Sequence, residues 1–204
     1  MSKIIGGWHV PDMDEKCFQA VMLEVEKVFM IAPRCPMRRS CIQAGGNIGI
    51  FPKALSKFFQ TVHTFELDPE NFKAMQLNCG QDSNIIMRNA ALTDFHGMVG
   101  VDHIKPDNIG AHQVKSGGDI HTVMIDDLGL EDLDLLWLDI EGSEHSALLG
   151  AAKTLHDCSP IVILELKGLG QRYGYSDQQT FDLMESLGYK VSQKISRDYI
   201  FARG

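Results

Sequence analysis

The run Cys41-Ile42-Gln43-Ala44-Gly45-Gly46-Asn47-Ile48-Gly49-Ile50 decides how this chain is read. An apolar stretch ends in Ala44, Gly45 and Gly46. Ile48, Phe51, Leu55 and Phe58 then recur at helical spacing, with Pro52 tolerated in a first helical turn. The pattern predicts a buried strand turning sharply into a helix whose N-terminus points at whatever lies over the glycines. Glycine allows backbone angles denied to other residues and, lacking a Cβ, lets a ligand approach the main chain. The next apolar run, Val62 to Phe65, ends in Glu66, about twenty residues past the glycines, where a nucleotide-binding fingerprint places an acid for a ribose hydroxyl. The two features together point to an adenosine-containing cofactor.

Outward from this stretch, strand and helix patterns alternate. On the N-terminal side, Pro11 to Asp14 offers helix-start chemistry, and Phe18, Val21, Met22, Val25, Val28 and Phe29 trace one helical face that must stop before Pro33. Residues 1–37 therefore read as an irregular start and a helical extension packed on a single domain of residues 38–204. On the C-terminal side, Asp68-Pro69-Glu70 is an N-cap, a first-turn proline and an acid, opening a helix to about Cys79. Asn84 to Arg88 is a short strand leading into Asn89 and Ala90. Residues 94–121, rich in glycine, read as an irregular excursion with one or two short strands, placed to shape a substrate pocket. Asp134 to Asp139 is a buried strand, and Ser143 caps a helix whose inner face is Ala147, Leu148, Ala151, Ala152 and Leu155. Ile161 to Leu164 is a further strand ending in Glu165. Ser176 with Gln179 forms a capping box for a helix that stops at Gly188, and two last strands close as a hairpin.

This alternation gives an α/β fold with a mainly parallel sheet covered on both faces. Ligands of such sheets sit beyond the carboxyl ends of the strands. Gly45, Glu66, Asn89, Asp139 and Glu165 all fall at predicted strand C-termini, and so are expected around one pocket.

Composition narrows the function. Lys and Arg number 19 against 27 Asp and Glu, a formal charge of −8, which repels a nucleic-acid backbone and an anionic membrane alike. Arg34, Arg38 and Arg39 form the only basic cluster. The five cysteines are scattered, with no Cys-x-x-Cys pair, which fits reduced thiols in a cytoplasm better than a disulfide framework or a zinc site. No apolar run approaches the length of a membrane span.

Leu138-Asp139-Ile140-Glu141-Gly142-Ser143-Glu144 brings three carboxylates to one strand–helix junction. Glu144 is explained by a helix N-terminus, but an acid ending a buried strand, such as Asp139, needs something polar against it. With Ile42 to Gly49, Phe65 to Phe72, Asn89 to Asp94 and Leu164 to Gly168, this motif resembles the FkbM family of S-adenosylmethionine-dependent methyltransferases. The resemblance implies a Rossmann-like class I methyltransferase fold, with a seven-stranded sheet ending in an antiparallel hairpin. It also implies that Gly45, Gly46, Asn47 and Gly49 lie against the methionine and ribose of S-adenosyl-L-methionine, that Glu66 and its neighbour Leu67 take the ribose, that Asn89 and Ala90 border the adenine, and that Asp139 sits near the sulfonium. Gln43 departs from the family, which has an acid there; an amide still offers hydrogen bonds to the cofactor's amino group but no charge. The acceptor implied is a hydroxyl of a sugar or another small metabolite, on a small molecule or glycan.

O-methylation also requires removal of the acceptor's proton. Asp139, His112 and Glu141 are the candidates, with His145 behind them on an exposed helix face. Asp139, Glu141 and Glu165 have the donor type of a divalent-metal site, but no spacing specifies one, and no metal is assigned. Two other functions share part of the pattern. An NAD-dependent oxidoreductase has the turn and Glu66 but neither the forty residues before the first strand nor the Asp139 to Glu144 motif. A non-catalytic cofactor-binding remnant accounts for Gln43.

Overall fold

The computed structural model describes residues 2–11, 15–103 and 112–204. The expected helix start at Asp12 to Asp14 and the segment Asn108 to Ala111 lie outside them. The described chain opens on a hairpin where an irregular start was expected, and that part of the reading of residues 1–37 is corrected. Strands β1 (Ser2–Ile5) and β2 (Trp8–Pro11) pair antiparallel. Gly6 and Gly7, both at positive φ, supply the two-residue turn that such hairpins require.

The helical face expected from Phe18 to Phe29 is two helices, α1 (Glu15–Glu24) and α2 (Glu26–Ile31). At the break the Val28 amide bonds Val25 O, three residues back, at 3.0 Å. The tightened turn buries Val28 and Ile31 and leaves Phe29 at the surface, edge-on to Phe58.

Then follow β3 (Ser40–Ala44), α3 (Ile50–Leu55), β4 (Thr61–Glu66), α4 (Pro69–Cys79) and β5 (Ile85–Asn89), the first half of the main sheet. Asp68 caps α4 as expected, its carboxylate accepting from the amides of Glu70 and Asn71 at 2.9 Å. The second half is β10 (Leu133–Leu138), α5 (Glu144–Leu149), α6 (Ala152–Cys158), β11 (Ile161–Glu165), α7 (Asp177–Ser186), β12 (Tyr189–Ile195) and β13 (Asp198–Arg203), with β6 to β9 between the halves. The main sheet has seven strands in the order β12-β13-β11-β10-β3-β4-β5. Strands β3, β4, β5, β10 and β11 are parallel, and β13 runs antiparallel between β11 and β12.

Alternate residues of the central strands feed two cores. Ile42, Ala44, Leu136, Leu138, Val162 and Leu164 face α5, α6 and α7. Cys41, Val62, Leu135, Trp137 and Ile163 face α2, α3 and α4. Burial on both faces is why these strands read as continuous apolar runs. The chain moves outward from β3 to β5 and returns to β10 on the other side of β3, so the strand order reverses between β3 and β10. A crevice at the carboxyl ends is expected at that point.

Two expectations are corrected here. The described residues 94–103 and 112–121 are more ordered than glycine content implies: β7 (Met98–His103), β8 (His112–Ser116) and β9 (Ile120–Val123) join β6 (Ala91–Leu92) in a second sheet of order β6-β9-β7-β8. Gly100 belongs inside β7 because a Cβ there would stand 2.4 Å from Gly117 O. The helix after Ser143 is also divided, at Gly150, whose Cβ would stand 2.1 Å from Thr93 O. In both places glycine makes room for neighbouring backbone, which a one-dimensional pattern does not show.

Candidate active site

The turn after β3 is built by close approach. Gly45 has φ +85°, and a Cβ on it would lie 2.0 Å from Asp139 O at the end of β10. A Cβ on Gly46 would meet Thr64 Oγ1 at 2.7 Å and Met75 Sδ at 2.8 Å, and one on Gly49 would meet Cys79 Sγ at 2.5 Å. The protein's own atoms fill the Cβ positions of these glycines, while Gly45 and Gly46 still line the cleft. The amides of Gly45 and Gly46 both donate to Phe65 O, at 3.1 and 2.9 Å, which ties the turn to β4.

Gln43, buried beneath this turn, has its amide fully engaged. It donates to Gly45 O at 3.0 Å and to Ala44 O at 3.3 Å, and it accepts from Thr64 Oγ1 at 2.8 Å. It braces the glycines, a role its place in the sequence does not disclose.

Glu66 ends β4 and is 5% exposed. One carboxylate oxygen accepts from Asn47 N at 2.6 Å and the other from Asp68 N at 2.8 Å. Burial pushes its pKa up to about 7 against these bonds. An ionised carboxylate has about four lone-pair sites, so acceptor capacity remains for hydroxyl donors.

Asp139, Glu141 and Glu165 bring carboxylate oxygens within 4.8 Å of one another. Lys167, which sequence reasoning missed, sits among them, its Nζ 2.5 Å from Glu165, 3.0 Å from Glu141 and 4.0 Å from Asp139. Asp139 and Glu165 are hydrogen-bonded to each other, so one of them holds a proton. The Asp139 hydrogen bond and the near Lys167 hold Glu165 ionised, while desolvation and the Glu165 charge raise Asp139 well above the usual carboxylate range, although its side chain stays 43% exposed. Lys167→Met leaves these acids without their cation and raises the proton affinity of Asp139 and Glu165, so its stability loss is small at pH 5 and grows as pH rises above the carboxylate range. About 3 kcal/mol is expected at pH 8. Melting temperatures across that range check this, and a pH-independent loss would mean that the lysine acts only through packing.

Glu144, explained above by a helix N-terminus, is more specific than that: its carboxylate accepts from Ile140 N at 2.9 Å and Gly142 N at 3.3 Å, bracing the turn that carries Asp139 and Glu141. Ser143 stands at the N-cap without a side-chain capping bond. His145 is corrected from exposed to buried. It stacks on Tyr175 with ring centroids 4.0 Å apart, and its Nδ1 lies 3.1 Å from Thr180 Oγ1, too well used for proton transfer.

These elements surround a cleft of about 1050 Å³, part of it open to solvent. Gln43, Gly45, Gly46, Asn47, Glu66, Leu67, Ala90, His112, Asp139 and Glu141 line it. Three expected residues stand behind the wall, Gly49, Asn89 and Glu165, the last of which reaches the cleft only through Asp139 and Lys167. Gly49 packs on α4, and Asn89 donates its amide to Glu66 O and Leu67 O at 2.8 and 2.9 Å. The lining also includes Glu24, Lys27 and Asp198, which the sequence did not point to. Lys27 and Asp198 form an ion pair at 2.5 Å between α2 and β13.

The sequence matches the family model Methyltransferase FkbM domain over residues 43–191, well over half of the chain. No curated protein matches it. Among solved structures, an FkbM methyltransferase from Methylobacillus flagellatus KT superposes with a TM-score of 0.54 at 18% identity, over 81% of this chain and 44% of that one, so the chain spans less than half of that relative's length. A precorrin 8w decarboxylase from Methanobacterium thermoautotrophicum has a TM-score of 0.53 at 12% identity, over 89% and 90% of the two chains. A SAM-dependent methyltransferase from Aquifex aeolicus has a TM-score of 0.51 at 13% identity, over 88% of each. At such identities the superpositions establish the fold, a class I methyltransferase architecture. Family match and fold agree, and the chain belongs to the FkbM methyltransferase family.

Proposed function

We propose that the protein is an S-adenosylmethionine-dependent O-methyltransferase acting on a hydroxyl of a sugar or another small metabolite. The observation that carries this reading is the buried Glu66 carboxylate in a cleft that Asp139 also lines, with Glu165 bonded to Asp139. Bound there, the cofactor supplies an electrophilic methyl group on a cationic sulfur. The cleft residues fit it. Glu66, which also takes a hydrogen bond from the Asn71 side chain, keeps acceptor capacity for a ribose hydroxyl, and Phe65, Leu67, Ala90 and Leu92 give an apolar wall suited to a purine.

Asp139 has two tasks in this reading. Its pKa is raised in the free protein, and a positive charge beside it lowers that pKa and expels the proton. The carboxylate so formed is positioned to take the proton of an acceptor hydroxyl held in line with the methyl group. His112 and Glu141 on the same cleft are the alternative acceptors of that proton. Gln43, committed to Gly45 O and Thr64, adds no charge, which weakens cofactor binding without removing any other contact.

Thermal-shift titration with S-adenosylmethionine, S-adenosylhomocysteine and NAD tests the reading first. A ligand at a hundred times its dissociation constant raises the melting temperature by roughly 5 to 10 °C, expected here for the first two alone. A shift with NAD alone would overturn it. Calorimetry in buffers of different ionisation enthalpy then reads the proton: the sulfonium ligand should release more protons than the neutral thioether, and equal release would remove Asp139 from the role given to it. Methyl transfer to any hydroxyl acceptor would exclude a binding remnant.

The placement in a reducing cytoplasm rests on five free cysteines, Cys35, Cys41 and Cys79 of them buried. Among the described residues no helix is long and apolar enough to cross a membrane.

A further inference from the structure

We propose that Asp68, His103 and His112 form a binding site for a divalent transition-metal ion of the zinc type, fastening the β7–β8 hairpin to the start of α4 beside the cleft. The three residues come from three elements and converge on one point. Asp68 Oδ2 lies 2.7 Å from His103 Nε2 and 3.3 Å from His112 Nδ1, and one ligand atom from each lies within 4.8 Å of the others. The two imidazoles face each other with centroids 4.5 Å apart. Two imidazole nitrogens and one carboxylate oxygen are the donor set of a three-ligand zinc centre, which keeps a fourth position open.

The geometry needs little change to take the ion. Donors about 2.0 to 2.1 Å from a tetrahedral metal stand roughly 3.3 to 3.4 Å apart. The Asp68–His112 separation already has this value, and the Asn71 side-chain amide, 3.5 Å from the same His112 Nδ1, must release that atom. The Asp68–His103 separation must open by about 0.6 Å to reach it. His103 is free to do so, because its side chain is 53% exposed while Asp68 is 2% and His112 12%. The carboxylate is also aimed in advance: Asp68 Oδ1 is held by the amides of Glu70 and Asn71, leaving Oδ2 to the histidines. Outer bonds of this kind orient metal ligands.

The position gives the site a consequence. His112 lines the cleft, as does Leu67, the residue before Asp68. An ion there links the hairpin wall of the cleft to the segment that follows Glu66. The site is distinct from Asp139, Glu141 and Glu165, and it requires no assumption about methyl transfer.

Titration of the full chain with Co²⁺ and with Zn²⁺, read by visible absorption and calorimetry, tests the proposal. One equivalent is expected to bind with the weak absorption of nitrogen and oxygen ligands. Affinity should fall at least about tenfold in His103→Ala and in His112→Ala and stay unchanged in His156→Ala, a surface histidine elsewhere. Asp68→Asn keeps a residue that caps helices well, so it should remain folded and still lose the ion. Equal affinity in all variants, a thiolate-to-cobalt charge-transfer band, or no binding at millimolar metal would each overturn it.

Discussion

Gly45→Ala is expected to lower the melting temperature by roughly 8 to 16 °C. Its φ of +85° is a conformation that costs an L-residue about 1 to 2 kcal/mol. The added methyl would also lie 2.0 Å from Asp139 O, an overlap that only a shift of β3 against β10 relieves. The two together cost about 4 kcal/mol, and each kcal/mol moves the midpoint of a domain this size by roughly 2 to 4 °C. Gly174→Ala separates the causes. Gly174 has φ +84° with nothing within 4 Å of its Cβ position, so the strain is matched and the overlap is absent. Its loss should be about 1 kcal/mol. Equal losses at the two positions would mean that the approach of β10 to the turn contributes nothing.

Asp139→Asn is expected to lower turnover by about 10²- to 10⁴-fold, the range for losing a positioned proton acceptor. Stability should move little or rise at neutral pH. The substituted amide would still hydrogen-bond Glu165, and it removes a carboxyl that shares a proton under strain with its neighbour. The group's pKa is raised in the folded protein, so its contribution to stability is present at low pH and is lost as pH rises; an uncharged amide abolishes that loss. Melting temperature and single-turnover rate, measured on the same preparation, check the claim. Matching losses of both would assign Asp139 a structural role.

How much of this was legible in the sequence follows from the range of the interactions. The central strands were legible because burial on both faces writes an unbroken apolar run, and α4 and α7 because their caps are local: Asp68 bonds residues two and three ahead, and Ser176 bonds Gln179. The strand ends that carry Glu66, Asp139 and Glu165 followed from the same pattern. Some failures are local: the Gly6-Gly7 turn of the first hairpin, the tightened turn at Val25 and the unused cap at Ser143. The others, the break at Gly150, the ordering of the described residues 94–103 and 112–121, the buried His145 and the insertion of Lys167 among three acids, depend on what another part of the chain places opposite. His112 is intermediate. Its presence was readable, but its approach to Asp68, at the start of a distant helix, was not.

The Lys27–Asp198 pair bears on the order of folding. The two residues are 171 positions apart in the chain, and both line the cleft. One wall of the pocket therefore closes only after β13 has entered the sheet between β11 and β12. Contacts this distant form late, because the loop entropy between them must be lost first.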